Sequence, residues 1–379
     1  MKYFDYAATC PLDQEAAELY VKAATDYYGN SQSLHDIGSS SAELLKTCRR
    51  TMASILDVEP TGVFFTSGGS ESNFLAIHAL LSAKRKSGRH IVTGMAEHSS
   101  ITNVMKKLEE DGYEVTYLPL NSNGLIETRL LEEALREDTV LVSIQHGNPE
   151  IGTLQPLNEI GSICRDREIL FHSDCVQTFG KTRIKEAASM VDALSLSGHK
   201  IYGPKGTGAA YVNPRIGWKP FIPGTSHESG FRPGTVNVPA ILALTAAAQK
   251  AETVLCEAME QHLVLRKLFM KGLSPLKNQV TIYGTDEKQQ LSGIIGMRIH
   301  GLEGQWVMLE CNRQGYAIST GSACHTGLLA PSKTMAAMGI EGKQAKEFFR
   351  ISFGRQTQKE DVSGLSAFLA KTAVKNRYN

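Results

Sequence analysis

Between residues 60 and 213 short apolar runs alternate with helical patterns, and no other feature of this 379-residue chain constrains its fold as tightly. The runs lie at 63–66, 91–95, 115–118, 140–145, 169–173, 193–197 and 209–212. Several are apolar almost throughout, as in strands covered on both faces. Helical patterns at 70–86, 102–110, 128–136 and 157–167 separate them. Strand–helix alternation predicts a mostly parallel α/β sheet. Ligands of such sheets bind beyond the carboxyl ends of the strands. The polar residues there are Ser67 to Ser72, Glu97-His98, His146 to Glu150, Asp174 to Gln177 and Ser197 to Lys200. They are distant in sequence and expected to converge in space.

After a Pro/Gly-rich connection at 220–239 the pattern changes. One long helix is expected from 239 to 270, followed by apolar runs at 280–283, 293–299 and 349–353 mixed with helices. The expected organisation is a large domain over 13–250 and a small α+β domain over 251–379, joined by the N-terminal segment 1–12. Neither repeats nor low-complexity stretches interrupt it.

The net charge of +1, with no basic run, argues against a nucleic-acid or membrane-surface partner. The start, Met1-Lys2-Tyr3-Phe4-Asp5, lacks the apolar core of a signal peptide. The longest apolar stretch, 240–248, falls short of the roughly 18 residues that cross a bilayer. The seven cysteines are odd in number and scattered, with no CxxC. A disulfide framework or a metal site is therefore not expected, and the cytoplasm is the expected location.

Ser195-Leu196-Ser197-Gly198-His199-Lys200 places a lysine at the end of an apolar run. A partly buried lysine is less protonated and so nucleophilic toward a carbonyl cofactor. Lys205, in the Gly/Pro turn that follows, reads as exposed. Asp174 closes another apolar run 26 residues upstream of Lys200. A Schiff-base lysine and a carboxylate for a pyridinium nitrogen are the minimum equipment of a pyridoxal 5'-phosphate (PLP) site. Gln177, three residues on, can share the face of Asp174; the plain alternative for Asp174 is a helix cap.

Thr66-Ser67-Gly68-Gly69-Ser70-Glu71-Ser72 follows a strand and opens a helix, the arrangement in which backbone N–H groups meet an anion. Its alternative is ordinary helix capping. His98 stands just past a strand and could stack on a planar ring, although a lone histidine is more often structural; the same holds for His146. Ser319 to Gly327 is small, polar and Gly-rich around Cys324, the setting of an exposed, reactive thiol. Arg350-Ile351-Ser352-Phe353-Gly354-Arg355 offers two arginines, one of which could clamp a carboxylate while the other makes a surface ion pair.

Taken in order, TSGGSES, AEHSS, HGNPEIGT, HSDCVQTFG, SLSGHKIYGPKGTG, RPGT, STGSACHTG and RISFGR closely resemble the PLP-dependent cysteine desulfurases of the NifS/IscS type, within the class-V aminotransferase-like family. The resemblance runs from Phe4-Asp5-Tyr6-Ala7-Ala8-Thr9 to the last helix. It implies the aminotransferase-like fold (fold type I) and a homodimer. It implies that Lys200 binds PLP covalently, that Asp174 pairs with the pyridine nitrogen and Gln177 with the phenolic oxygen, and that His98 stacks on the ring. Gly69, Ser70, Ser197 and His199 would hold the phosphate, with Thr235 reaching it from the other subunit. Arg350 would bind the substrate carboxylate, with Asn30 near the substrate. Cys324 would attack the sulfur of L-cysteine, leaving alanine and a persulfide that a sulfur-acceptor protein collects for iron–sulfur clusters or thio-cofactors. Selenocysteine lyase activity shares this equipment, and a non-catalytic sulfur-relay platform is the alternative of another class.

Three departures stand out. Asn148-Pro149-Glu150-Ile151-Gly152 replaces the usual Asn-Asn-Glu-Ile-Gly, so Pro149 offers no side-chain donor, and Asn148 or a water is expected to replace it in part. Gly29-Asn30-Ser31-Gln32-Ser33 replaces Gly-Asn-Pro-Ser-Ser. The chain also stops 24 residues after Arg355, short for a tail that docks a scaffold.

Overall fold

The computed structural model describes residues 1–276, 278–320 and 332–375. Strand β1 (Lys2–Tyr3) opens the chain. Seven strands form the large sheet: β2 (Val63–Thr66), β3 (His90–Gly94), β4 (Glu114–Leu118), β5 (Thr139–Ser143), β6 (Leu170–Asp174), β7 (Ala193–Ser197) and β8 (Gly208–Val212). Their order is β2-β8-β7-β6-β5-β3-β4. The pairs from β7 to β4 are parallel, whereas β8 runs antiparallel to both its neighbours. The seven runs read from sequence coincide with these strands to within about two residues at each end.

Their unbroken apolarity has a direct cause. Ile91, Leu170 and Ala193 point into one core, and their neighbours Val92, Phe171 and Leu194 into another on the opposite face. Because side chains alternate along a strand, a strand covered on both sides is apolar at every position. Edge strand β4 escapes this and carries a half-exposed, mixed sequence. The layers are built by α1 (Gln14–Asp26), α2 (Asp36–Leu56), α3 (Gly69–Ser82), α4 (Ser99–Glu110), α5 (Thr128–Ala134), α6 (Leu157–Asp166), α7 (Ile184–Met190) and α8 (Val238–Thr253).

The long helix expected over 239–270 is two helices, α8 and α9 (Leu255–Gly272), broken at Val254 (φ −98°, ψ 9°). The periodicity continues across the break, but the packing partner changes. Helix α8 lies on α1 and α2, while α9 lies on the C-terminal helix 359–375. A smaller sheet of β9 (Val280–Tyr283), β10 (Ile294–Ile299) and β12 (Phe348–Ser352), all antiparallel, forms the second layer. Strand β11 (Tyr316–Ala317) pairs in parallel with β1, and Phe4 sits in the core beneath this sheet. On this packing we propose the division into 13–250 and 251–379, with 1–12 shared between them. Among the described residues no helix is long and apolar enough to cross a membrane, and no cluster could hold a metal ion.

Candidate active site

The carboxyl ends of β2, β3, β5, β6 and β7 open on one edge of the sheet, and the polar segments that follow them meet there. At the end of β2 the chain turns through Gly68 (φ 151°) into α3, whose first N–H groups receive no side-chain cap. A Cβ on Gly69 would stand 2.6 Å from Val176 Cγ2. Position 69 thus demands glycine where two strand-end loops press together. Gly69, Ser70, Ser197 and His199 line one cavity of about 430 Å³, together with Thr9 and Lys205. Uncapped N–H groups at the start of a helix are a seat for a phosphate.

Asp174, at the end of β6, is buried. Its Oδ1 accepts the N–H of Val176 at 2.9 Å and its Oδ2 the Asn73 Nδ2–H at 2.8 Å. Asn73 Oδ1 is buried without a partner among the described residues.

Lys200 closes the short turn after β7. Its Nζ donates to the carbonyls of Ala7 (2.6 Å) and Ala8 (2.8 Å) in the N-terminal segment. Burial, with the cations Lys181 and Arg350 nearby, pulls its pKa from 10.5 down to about 7, against the opposing influence of Cys10 and Asp5. Desolvation disfavours the charged amine and like charges add to the effect. Lys205 is exposed. Of the two lysines, Lys200 is the one prepared as a nucleophile.

His98 caps α4: its Nδ1 accepts the Ser100 N–H at 3.1 Å. The ring stands at the rim, and its pKa is lowered by desolvation, against Asp174 and in concert with Lys200 and Lys333. His199 Nδ1 contacts Thr9 Oγ1 at 3.1 Å, and burial with its lysine neighbours pulls its pKa to about 4. It is a neutral hydrogen-bonding ring. His146 is buried against Thr178 and pulled to about 4 by burial alone, which supports its structural reading.

Gln177 donates from Nε2 to Ala7 O at 2.7 Å and accepts at Oε1 from Lys181 at 3.0 Å. Arg350 is buried on β12. One Nη2–H pairs with Asp5, Nη1 donates to Pro149 O at 2.8 Å, and Nε has no partner among the described residues. Arg355 lies 3.8 Å over the Tyr202 ring and near Asp13, a packing and ion-pair role.

Three further expected site residues have these surroundings. Asn148 spends its amide on its own loop: Oδ1 accepts from the Glu150 and Ile151 N–H groups, and Nδ2 donates to Thr334. A buried side-chain turn of this kind fixes the loop, and this use competes with the cofactor contact expected of it. Asn30 caps a turn through Gln32 N–H at 3.0 Å, and Ser31 and Gln32 line a different cavity, beside Arg49 and Glu228. Thr235 is exposed and outside the residues that line the Gly69 cavity. Cys324 lies outside the described residues. Sequence reasoning missed Asp5, Asn73 and Lys181. Asn73 carried a faint signal, one helical turn beyond Ser70, and Lys181 another, four residues after Gln177 in a turn-forming stretch.

These groups fit PLP: an amine of lowered pKa for its carbonyl carbon, a buried carboxylate for its ring nitrogen and uncapped N–H groups for its phosphate. The family model for class-V aminotransferases matches residues 2–365. The NifS protein of Bacillus subtilis is 47% identical over 366 residues, covering 96% of this chain and 93% of that protein. The cysteine desulfurase IscS of Neisseria meningitidis is 36% identical, covering 98% of this chain and 92% of its own. A solved NifS-like protein superposes with a TM-score of 0.90 at 30% identity, over 99% of both chains. The chain therefore belongs to the class-V aminotransferase family, whose members of this kind depend on PLP. Within it, the chain falls in the NifS/IscS group of cysteine desulfurases.

Proposed function

We propose that this chain is a PLP-dependent cysteine desulfurase that converts L-cysteine to L-alanine and keeps the sulfur as a persulfide on Cys324. The observation that carries the reading is Lys200: an amine in the turn after β7, held by the Ala7 and Ala8 carbonyls, with its pKa lowered to about 7. PLP, held by Lys200, Asp174 and the start of α3, supplies an electron sink for the substrate's Cα carbanion.

The protein's own residues do the rest. Asp174, kept in place by Asn73 and the Val176 N–H, holds a proton on the ring nitrogen. Arg350, fixed by Asp5 and Pro149, anchors the substrate carboxylate. Lys200 and His98 are the bases within the site for moving the Cα proton. In the net reaction the substrate C–S bond breaks, an S–S bond forms on Cys324, and the thiol proton ends on carbon.

Elimination among the described cysteines supports Cys324. Burial pushes Cys164, Cys175 and Cys311 up to about 12 and raises Cys10 and Cys48. Such groups are thiols, whereas the nucleophile is a thiolate. Cys256 is exposed on α9 but is not among the residues lining the Gly69 cavity. We further propose a cytoplasmic homodimer with Thr235 at the partner's phosphate, feeding a sulfur-acceptor protein for iron–sulfur or thio-cofactor assembly. The test is Cys324→Ala. It is expected to keep the PLP absorption band but to form no persulfide, with alanine at background. Alanine released at the unaltered rate would overturn the mechanism.

A further inference from the structure

Lys181 is a half-buried ammonium, and no described carboxylate is paired with it. Among the described residues its hydrogen bond is to Gln177 Oε1, at 3.0 Å. Desolvation is the main influence on it and lowers its pKa. An unpaired cation that is even partly desolvated is costly, and an apolar side chain would fill the same space more cheaply. Position 181 is therefore poorly explained by packing.

The turn that carries it is tightly set. Phe179 N bonds Cys175 O at 2.9 Å and Lys181 N bonds Thr178 O at 3.0 Å, which puts Gln177 and Lys181 on one side. Gly180 (φ 66°) sits where a Cβ would come within 2.9 Å of Ile201 and 3.0 Å of Ala251. The turn is pinned between the Lys200 segment and α8.

The hydrogen-bond chemistry then fixes one orientation of Gln177. An ammonium only donates, so the atom facing Lys181 must be Oε1. A carbonyl only accepts, so the atom facing Ala7 O must be Nε2. The same Ala7 carbonyl accepts from Lys200 Nζ. Lys181 thus donates to Gln177, and Gln177 and Lys200 both donate to the Ala7 carbonyl, one chain of contacts that converges on Ala7. With one Nε2–H on Ala7, the other has no protein partner among the described residues.

We propose that Lys181 is a positioning residue for catalysis: it locks the Gln177 amide with its N–H groups toward Ala7 and the cofactor, and it keeps a second positive charge beside Lys200. The inference rests on the PLP reading above and extends it to a residue that does not touch the cofactor. Both effects favour the unprotonated state at Lys200, because a neighbouring cation opposes a further proton and the Gln177 donor stabilises a phenolate. Other groups that bear on this pair are Asp5 and Cys10 from the N-terminal segment, His98 and His199 from the strand-end loops, His262 on α9 and Arg350 on β12.

The test compares the holoenzyme with Lys181→Met, Lys181→Gln and Lys181→Arg by the pH midpoint of the visible band of bound PLP. Lys181→Met is expected to raise the midpoint by about one unit, the effect of removing a neighbouring charge. Lys181→Arg should restore it to within about half a unit. Lys181→Gln, which tolerates solvent should Met not fold, should rise as Met does. Gln177→Ala should raise the midpoint as well, and the Gln177→Ala/Lys181→Met double variant should rise by less than the sum. Unmoved midpoints in folded Lys181→Met or Lys181→Gln, or strict additivity in the double variant, would overturn the proposal. Loss of the lysine-bound band tests the PLP reading separately: if Lys200→Ala keeps that band, the cofactor reading itself fails.

Discussion

The two ends of the proposed active site are built differently. At the cofactor end, Gly69, Asp174, Ser197 and Lys200 come from the ends of β2, β6 and β7, or the loops just past them, in one sheet. At the carboxylate end, Arg350 is held by Asp5 and by Pro149, which lie 345 and 201 positions away in sequence. Three chain segments, two sheets and the shared N-terminus meet there. The cofactor end is set by the sheet itself. The carboxylate end depends on docking the small sheet and segment 1–12 against the large one. Damage at the cofactor end should therefore abolish chemistry, and damage at the carboxylate end should weaken substrate capture.

The largest effect expected is at Lys200. Lys200→Ala should remove the lysine-bound PLP band and stop alanine release. Lys205→Ala should leave the lysine-bound band in place, because that side chain is exposed on the lining of the Gly69 cavity. Borohydride reduction followed by peptide mapping decides between them; label on Lys205 would reverse the assignment. The same amine predicts a pH dependence. With its pKa near 7, Lys200 is protonated below that pH and free above it. The rate at which PLP-free protein captures PLP should rise through about pH 7 and level off, where an ordinary lysine would rise near 10.4. A midpoint near 10 would show that the amine is not buried in solution.

Arg350 sharpens the contrast. A charge-assisted contact is worth about 1.5–3 kcal/mol. Arg350→Ala should thus raise the KM for cysteine roughly 10- to 100-fold while PLP stays bound. Asp5→Asn should raise KM by less, since it loosens the guanidinium without removing it. Arg355→Ala should do less still, given its place over Tyr202. If Arg350→Ala releases PLP instead, the two ends of the site are one unit and the contrast fails.

What the sequence disclosed follows the same division. Strands covered on both faces leave continuous apolar runs, and the residues closing them form the proposed site, so Asp174, Ser197 and Lys200 were legible from local pattern. The partners that hold them were not. Asn73 reaches Asp174 across 101 positions and Asp5 reaches Arg350 across 345, and no local pattern encodes such contacts. The break at Val254 was hidden because helical periodicity reports the chain and not what it packs against. The partners of Asn148 were hidden for a related reason: an Asn in a loop competes for its own backbone, and its Oδ1 accepts from the Glu150 and Ile151 N–H groups.

The smallest effect concerns Pro149, where the group usually carries a second Asn. Asn148 is committed to its loop, so it does not readily replace the lost donor. Pro149 contributes instead through its carbonyl, which accepts from Arg350 at 2.8 Å. That carbonyl survives any substitution, although proline's fixed φ restrains where it points. Pro149→Asn would restore the side-chain donor the group usually carries there, worth on the order of 1 kcal/mol to a cofactor oxygen within its reach. It would also free the backbone that aims the Arg350 contact. PLP should therefore bind up to about fivefold tighter, while KM for cysteine rises by a smaller factor, measured by PLP titration and steady-state kinetics on one preparation. A fall in PLP affinity would mean that the carbonyl, through Arg350, also supports the cofactor end, and the two ends would no longer be separable.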